Sequence, residues 1–307
     1  MAAFLGTILT ICSTTLENLI AARKAAVKPL RFIIIVMSVF KFIFKGRLEF
    51  GTARSYELAV KQSQTRAETI YRSDVLLKPE LVFDADNFTF AIPNNNLVVN
   101  GSDKSWKTTA EFLKEIATFA IAGNIKAWCM SEGNLVDHKV FEPSENKAVA
   151  KDFFEGRQLT ETKGRENEAK TALNRAIERY QNHALAYERR GYVNYRLGNY
   201  KDALYDFTKS TDINPHQAEA FFGRGKVKMI KQDWQGAFED FDAAMKKSIA
   251  LQPFFWQARR GKGEALMHLK RYDEALFEFG KFLDRKFKTD DSNYAWRRKV
   301  TFLHGKA

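Results

Sequence analysis

Residues 183–215, HALAYERRGYVNYRLGNYKDALYDFTKSTDINP, recur in outline at 217–247 as QAEAFFGRGKVKMIKQDWQGAFEDFDAAMKK. Gly191 falls over Gly225, Tyr200 over Trp234, Ala203 over Ala237 and Phe207 over Phe241, each 34 residues on. A third copy, WQARRGKGEALMHLKRYDEALFEFGKFL, places Gly263, Tyr272, Ala275 and Phe279 38 residues beyond their counterparts. The four extra residues near LQPFF, 251–255, amount to about one helical turn. Projected backward, the echo reaches Ala169 in ENEAKTALNRAIERY, with Leu173 at the phenylalanine position and a degenerate leading stretch, KDFFEGRQLTETKG. A fixed period of this length marks a stack of units, each burying a face that it cannot bury alone.

These copies resemble the tetratricopeptide repeat family, whose 34-residue unit is a pair of antiparallel helices. The resemblance covers about 150–289, and it implies a mainly α fold: a helical-hairpin solenoid over 150–307, with units near 150–183, 184–217, 218–251 and 256–289 and then a terminal helix. In that frame Gly191, Gly225 and Gly263 sit where paired helices cross, and Ala203, Ala237 and Ala275 keep the second helix close. Phe207, Phe241 and Phe279 are further architectural positions, Tyr200, Trp234 and Tyr272 wedge the turn between helices, and Pro215 closes a unit because proline cannot continue a helix. The resemblance also implies a groove lined by the first helix of each unit. Its residues would be Glu188, Tyr192, Tyr195 and Arg196, then Phe222, Lys226 and Met229, then Arg260, Glu264, Met267 and His268. That set suits a protein partner offering a peptide or helix with acidic and apolar residues. Some family members grip a C-terminal carboxylate with a lysine and an asparagine in their first unit, but Phe154 and Gln158 stand at those positions and speak against that mode. NYAWRRKVTFLHGKA is either a capping helix, with Trp296, Val300 and Leu303 packing down, or the first helix of a further unit.

Charge narrows the partners little. The formal net charge is +12, divided as +7 over residues 1–78, −4 over 79–149 and +9 over 150–307. A basic balance favours anionic partners of any kind. No nucleic-acid recognition motif accompanies it, so a nucleic-acid-binding surface is the weakest of the functional readings. Arg189, Arg190, Arg259 and Arg260 read as a basic strip or as a solvated helix face. Cys12 and Cys129 are far apart, and the five histidines are scattered singly. The sequence therefore predicts no disulfide, no metal site and no cofactor, and a reducing, cytoplasmic setting.

The first half carries less signal. Residues 1–48 form an apolar, basic N-terminal segment whose run at 30–44, LRFIIIVMSVFKFIF, is 15 residues long and contains Arg31 and Lys41, short of a bilayer-spanning helix. Three readings stay open: a membrane-associating helix with peripheral or anchored localisation, a helix or strand packed on the rest, or an extension before a start at Met37. Residues 49–146 read as a small α+β domain: a helix over about 52–73, two strands flanking a turn at Pro93–Asn96, a helix in KTTAEFLKEIATFAIA, and a hairpin turning at SEGN. Asp84, Asp86, Asp103, Glu132, Asp137 and His138 are its candidate acid–base groups, without a spacing that brings them together, and Trp106 and Trp128 read as core anchors. The leading function is a noncatalytic interaction scaffold; a membrane-tethered assembly factor is the alternative.

Overall fold

The computed structural model of the chain describes residues 40–66, 68, 75–93, 96–286, 293 and 296–306. Strand β1 (Phe40–Glu49) runs through the middle of an antiparallel sheet. It is followed by helix α1 (Ala53–Arg66), a single turn α2 (Pro79–Val82), and short strands β2 (Phe83–Asp84), β3 (Thr89–Ala91) and β4 (Leu97–Gly101). Helix α3 (Asp103–Phe119) and the hairpin β5 (Ala122–Ser131) and β6 (Asn134–Phe141) complete this layer. Phe42, Phe44 and Leu48 of β1 are fully buried against Trp106, Phe112, Leu113 and Ile116 of α3, with the Phe42 and Trp106 rings stacked at 5.2 Å.

Two expectations change here. The division between residues 48 and 49 cuts the end of β1, so residues 40–49 belong to the sheet domain. Phe40, Phe42, Phe44 and Leu48 alternate with Lys41, Lys45, Arg47 and Glu49, a period of two that the unbroken apolar run before it obscures. Residues 30–39 of that run lie outside the described residues. The strands around Pro93 do not form a hairpin: β3 pairs with residues 47–49 of β1 and β4 with residues 40–44, end to end along one edge. Proline has no N–H to offer the ladder, and the chain steps off β1 at that point and returns. The expected helix begins as predicted and ends at Arg66; most of its continuation to Ser73 is not described. The SEGN hairpin forms as read, with Glu132 and Gly133 at φ of 50° and 80°.

The rest is a stack of helical hairpins: α4 (Ala148–Glu161) with α5 (Glu166–Arg179), α6 (Ala184–Arg196) with α7 (Tyr200–Ile213), α8 (Ala218–Ile230) with α9 (Trp234–Lys246), and α10 (Pro253–His268) with α11 (Tyr272–Asp284). Helix α12 (Arg297–His304) follows, burying Val300 against Phe279 and Phe282. The sequence echoes are packing positions. Phe207 is held between two glycines, one in its own unit and one in the next: a Cβ added at Gly191 would lie 3.0 Å from its ring, and one at Gly223 only 2.3 Å. Phe241 sits the same way between Gly225 and Gly261, at 3.0 and 2.8 Å. Gly223 and Gly261 are also 38 residues apart and carry the contact between units, a role that the repeat echoes alone assign to no residue. In the degenerate first unit Gly156 meets Leu173, one residue before the position that the echo projects.

The arginines obey the same period. Arg190 pairs with Asp206 at 2.6 Å, Arg224 with Asp240 at 2.7 Å and Lys262 with Glu278 at 2.7 Å, each joining the two helices of one unit. Arg190 therefore faces inward, and Arg259 does too, 3.4 Å from Glu278. Tyr272 departs from the wedge role: it is 45% exposed, whereas Tyr200 packs on the cluster around Phe207 and Trp234 stacks on His268 at 3.9 Å. At the start of α6, His183 is 1% exposed and accepts from the Ala186 N–H through Nδ1, while burial holds its pKa down to about 3.

Two outcomes follow from this packing. Gly223→Ala is expected to cost about 1–3 kcal/mol in urea denaturation because Phe207 has no room to yield, whereas Gly280→Ala, in a helix interior where an added Cβ would meet only the His304 ring at 4.0 Å, is expected to gain about 0.5–1 kcal/mol. His183 is neutral when folded and titrates at 6.5 when unfolded, so stability is complete above pH 6.5 and falls by about 1.4 kcal/mol per unit as the pH drops from there toward 3. His183→Asn, which keeps a capping acceptor, is expected to reduce the pH slope of the unfolding free energy by one proton.

Candidate functional site: a slot across the first helices

Positions 188, 192 and 195 lie at i, i+4 and i+7 of α6 and share a face, and the same holds for their counterparts on α8 and α10. Tyr192, Tyr195, Phe222 and Lys226 line a cavity of about 150 Å³, with Gly223 and Phe254 beside them. A second cavity of about 440 Å³ shares Tyr195, Phe222 and Lys226 and extends to Met229, Arg260, Glu264, Trp296 and Lys299. The slot thus crosses α6, α8, α10 and α12. Seven of the expected groove residues meet in it: Tyr192, Tyr195, Phe222, Lys226, Met229, Arg260 and Glu264.

Of the other four, Glu188 lines the end of the smaller cavity, and Arg196, Met267 and His268 line neither. Glu188 stands at the closed end, 6% exposed, paired with Arg189 at 3.2 Å; burial raises its pKa and Arg189 opposes the rise. Arg196 turns toward the first unit, where it donates to the Thr160 carbonyl at 2.6 Å and pairs with Glu166. Met267 packs on the core beneath α12, and His268 is stacked on Trp234. Arg196 and His268 are one residue past the groove-facing column, and 100° of helical rotation is enough to turn them aside.

Inside the slot the charges are unevenly matched. The Lys226 ammonium lies 4.1 Å from the Tyr195 ring centroid and 5.7 Å from those of Tyr192 and Phe222. Burial lowers its pKa, and the Arg260 charge lowers it further. The Arg260 guanidinium lies 3.6 Å over Trp296 and 3.5 Å from Glu264, and burial lowers its pKa too. Trp296, expected in the cap's core, instead forms this wall and is 38% exposed.

The sheet domain seals the side of the array at the starts of α6 and α8. Lys126 of β5 pairs with Glu219 of α8 at 2.7 Å, and Lys45 of β1 donates to the Lys247 carbonyl. Between them is a cavity of about 190 Å³, lined in part by Asn124, Leu185, His216 and Gln217. Burial depresses Lys45 to a pKa of about 8. Burial works to raise Glu219, yet Lys126 and Lys45 hold it below the usual carboxylate value. Nothing in the repeat pattern could have disclosed this contact, since the lysines and Glu219 lie in different halves of the chain. The candidate acid–base groups stay dispersed: Asp84 accepts from its own turn, Asp103 pairs with Lys107, Asp137 accepts from Trp106 at 2.9 Å, and His138 stacks on Trp128.

Hairpins of this length and register, stacked through glycine and phenylalanine, define a helical-repeat array with a slot on its first helices. Residues 163–218 and 222–286 match the family model of the tetratricopeptide repeat, and this part of the chain is a tetratricopeptide-repeat array. Among curated proteins, the Protein SGT1 homolog of Bos taurus is 32% identical over 78 residues, 25% of this chain and 23% of that one. The DnaJ protein P58IPK homolog of Arabidopsis thaliana is 37% identical over 82 residues, 26% of this chain and 16% of that one. The chain thus spans less than a quarter of the length of either relative. The crystal structure of MamA aligns over 44% of this chain and 77% of that one, with 22% identity and a TM-score of 0.40. Among the described residues no helix is long and apolar enough to cross a membrane.

Lys126→Ala leaves Glu219 buried without its nearest cation. The half-buried pair is expected to cost about 2–3 kcal/mol on truncation, read as a fall in the urea midpoint, and Lys126→Met with Glu219→Leu is expected to recover most of it.

Proposed function

We propose that the chain is a noncatalytic interaction scaffold that holds a segment of a protein partner, a peptide or a helix, in the slot across α6, α8 and α10. The observation that carries this reading is the row of Tyr192, Tyr195, Phe222 and Met229 beside Lys226 and Arg260. Aromatic rings and a guanidinium at the centre of a concave patch are what anchors a partner most strongly. Tyr192 is 38% exposed although it lies next to a well-filled core, so its ring covers the slot wall and remains reachable. The sheet domain supports this arrangement by fixing the starts of α6 and α8, and its own chemistry-bearing residues are engaged in local contacts.

Tyr192→Ala with Tyr195→Ala is expected to abolish capture of the partners that the native chain retains in affinity purification. Tyr205→Ala, which removes an exposed ring on α7 outside the slot, is expected to leave them bound. Equal recovery by all three chains would overturn the slot assignment.

A further inference from the structure

We propose that the slot selects a partner segment with two neighbouring acidic side chains, seated against Lys226, Arg260 and Lys299, and an apolar side chain on the side toward the sheet domain. The inference rests on the peptide-holding reading above and names the chemistry that such a peptide must carry.

Lys226 is the starting point. Two other partly buried lysines on the helices of the array have their anions: Lys228 pairs with Asp240 at 2.8 Å, and Lys262 with Asp242 at 2.9 Å and Glu278 at 2.7 Å. Lys226 has aromatic rings around it and, among the described residues, neither an ion pair nor a hydrogen bond. Aromatic faces attract an ammonium, but they accept none of its three hydrogen bonds as a carboxylate would. Arg260 repeats the pattern independently: its Nε is buried without an acceptor, and its contact with Glu264 is long, at 3.5 Å. Lys299 of α12 reaches for the same Glu264 carboxylate at 3.4 Å. Three cations thus line the second cavity, about 440 Å³, with one carboxylate among them: Arg260 of α10 and Lys299 of α12 share Glu264, and Lys226 of α8 has none.

That excess of two positive charges decides the source of the anion. A chain-terminal carboxylate brings one charge to one place, whereas adjacent aspartate or glutamate side chains bring two and can reach cations on neighbouring helices. The opposite end of the slot sets the direction. The carboxylates there, Glu188 and Glu219, already engage the local cations, Arg189 at 3.2 Å and Lys126 at 2.7 Å, so that end gives an acidic side chain no comparable seat. Tyr192, Phe222 and Phe254 line the cavity of about 150 Å³ at that end, which suits an apolar side chain.

The test is selection of a random decapeptide library displayed on phage, internal in one format and with free C-termini in another, against the full chain and its Lys226→Gln, Arg260→Gln variant. Thermal unfolding checks that the variant is folded, and Lys226→Arg should retain selection. The native chain is expected to enrich internal peptides in which two acidic residues stand next to an apolar one. The variant is expected to lose the acidic preference and keep the apolar one, and to bind a selected acidic peptide about tenfold more weakly, the scale of one charge-assisted hydrogen bond. Apolar enrichment without acidic residues, acidic enrichment unchanged in the variant, or acidic enrichment only at free C-termini would each overturn the inference while leaving the slot as a peptide site. No enrichment of any kind in the native chain would overturn both readings.

Discussion

A phenylalanine ring pressed between two glycines is the contact on which the array depends. Phe207 meets Gly191 within its own hairpin and Gly223 in the next, and Phe241 repeats the arrangement one unit further along. The first glycine sets how closely the two helices of a hairpin cross. The second sets how closely one hairpin lies on its neighbour. With both distances fixed by the absence of a Cβ, the first helices come to lie side by side, and residues four and seven positions apart on each line up across the stack. The slot is a consequence of that spacing.

Charge reinforces the same geometry at a cost. Asp206 and Asp240 are almost entirely buried, and burial raises the Asp206 pKa against the pull of Arg190 and Asn194. Such pairs add little net stability, but a hairpin that slipped its register would leave a buried carboxylate alone. The recurring Arg190–Asp206, Arg224–Asp240 and Lys262–Glu278 contacts thus act as a register check in three consecutive units.

The array was legible in the sequence because its determinants are periodic. Gly191, Tyr200, Ala203 and Phe207 announce themselves by recurring, and Gly223 with Gly261 carried the same signal, unread. The slot was legible through the same frame for Tyr192, Tyr195, Phe222, Lys226, Met229, Arg260 and Glu264. Arg196 and His268 were misplaced because one helical step, invisible in a list of positions, turns a side chain out of the groove. Strand β1 was hidden for another reason: its alternation of Phe42, Phe44 and Leu48 with Lys41, Lys45, Arg47 and Glu49 begins inside a longer apolar run, which masks where the period of two starts. The union of Lys126 with Glu219 joins residues 93 positions apart and leaves no local trace in either segment.

A bare stack of helical hairpins behaves like a spring, because each unit touches only its neighbours and small rotations add along the row. Here the sheet domain touches several units at once. Arg157 of α4 binds Glu142 just beyond β6, Glu219 of α8 binds Lys126, and the carbonyl after α9 accepts from Lys45. A rigid plate fastened at three places along a spring removes its bending over that length. The end of the slot carrying Tyr192 and Phe222 is thereby held in one curvature before any partner arrives, while the end at Arg260 and Trp296 lies past the last fastening and keeps the pliancy of an ordinary repeat.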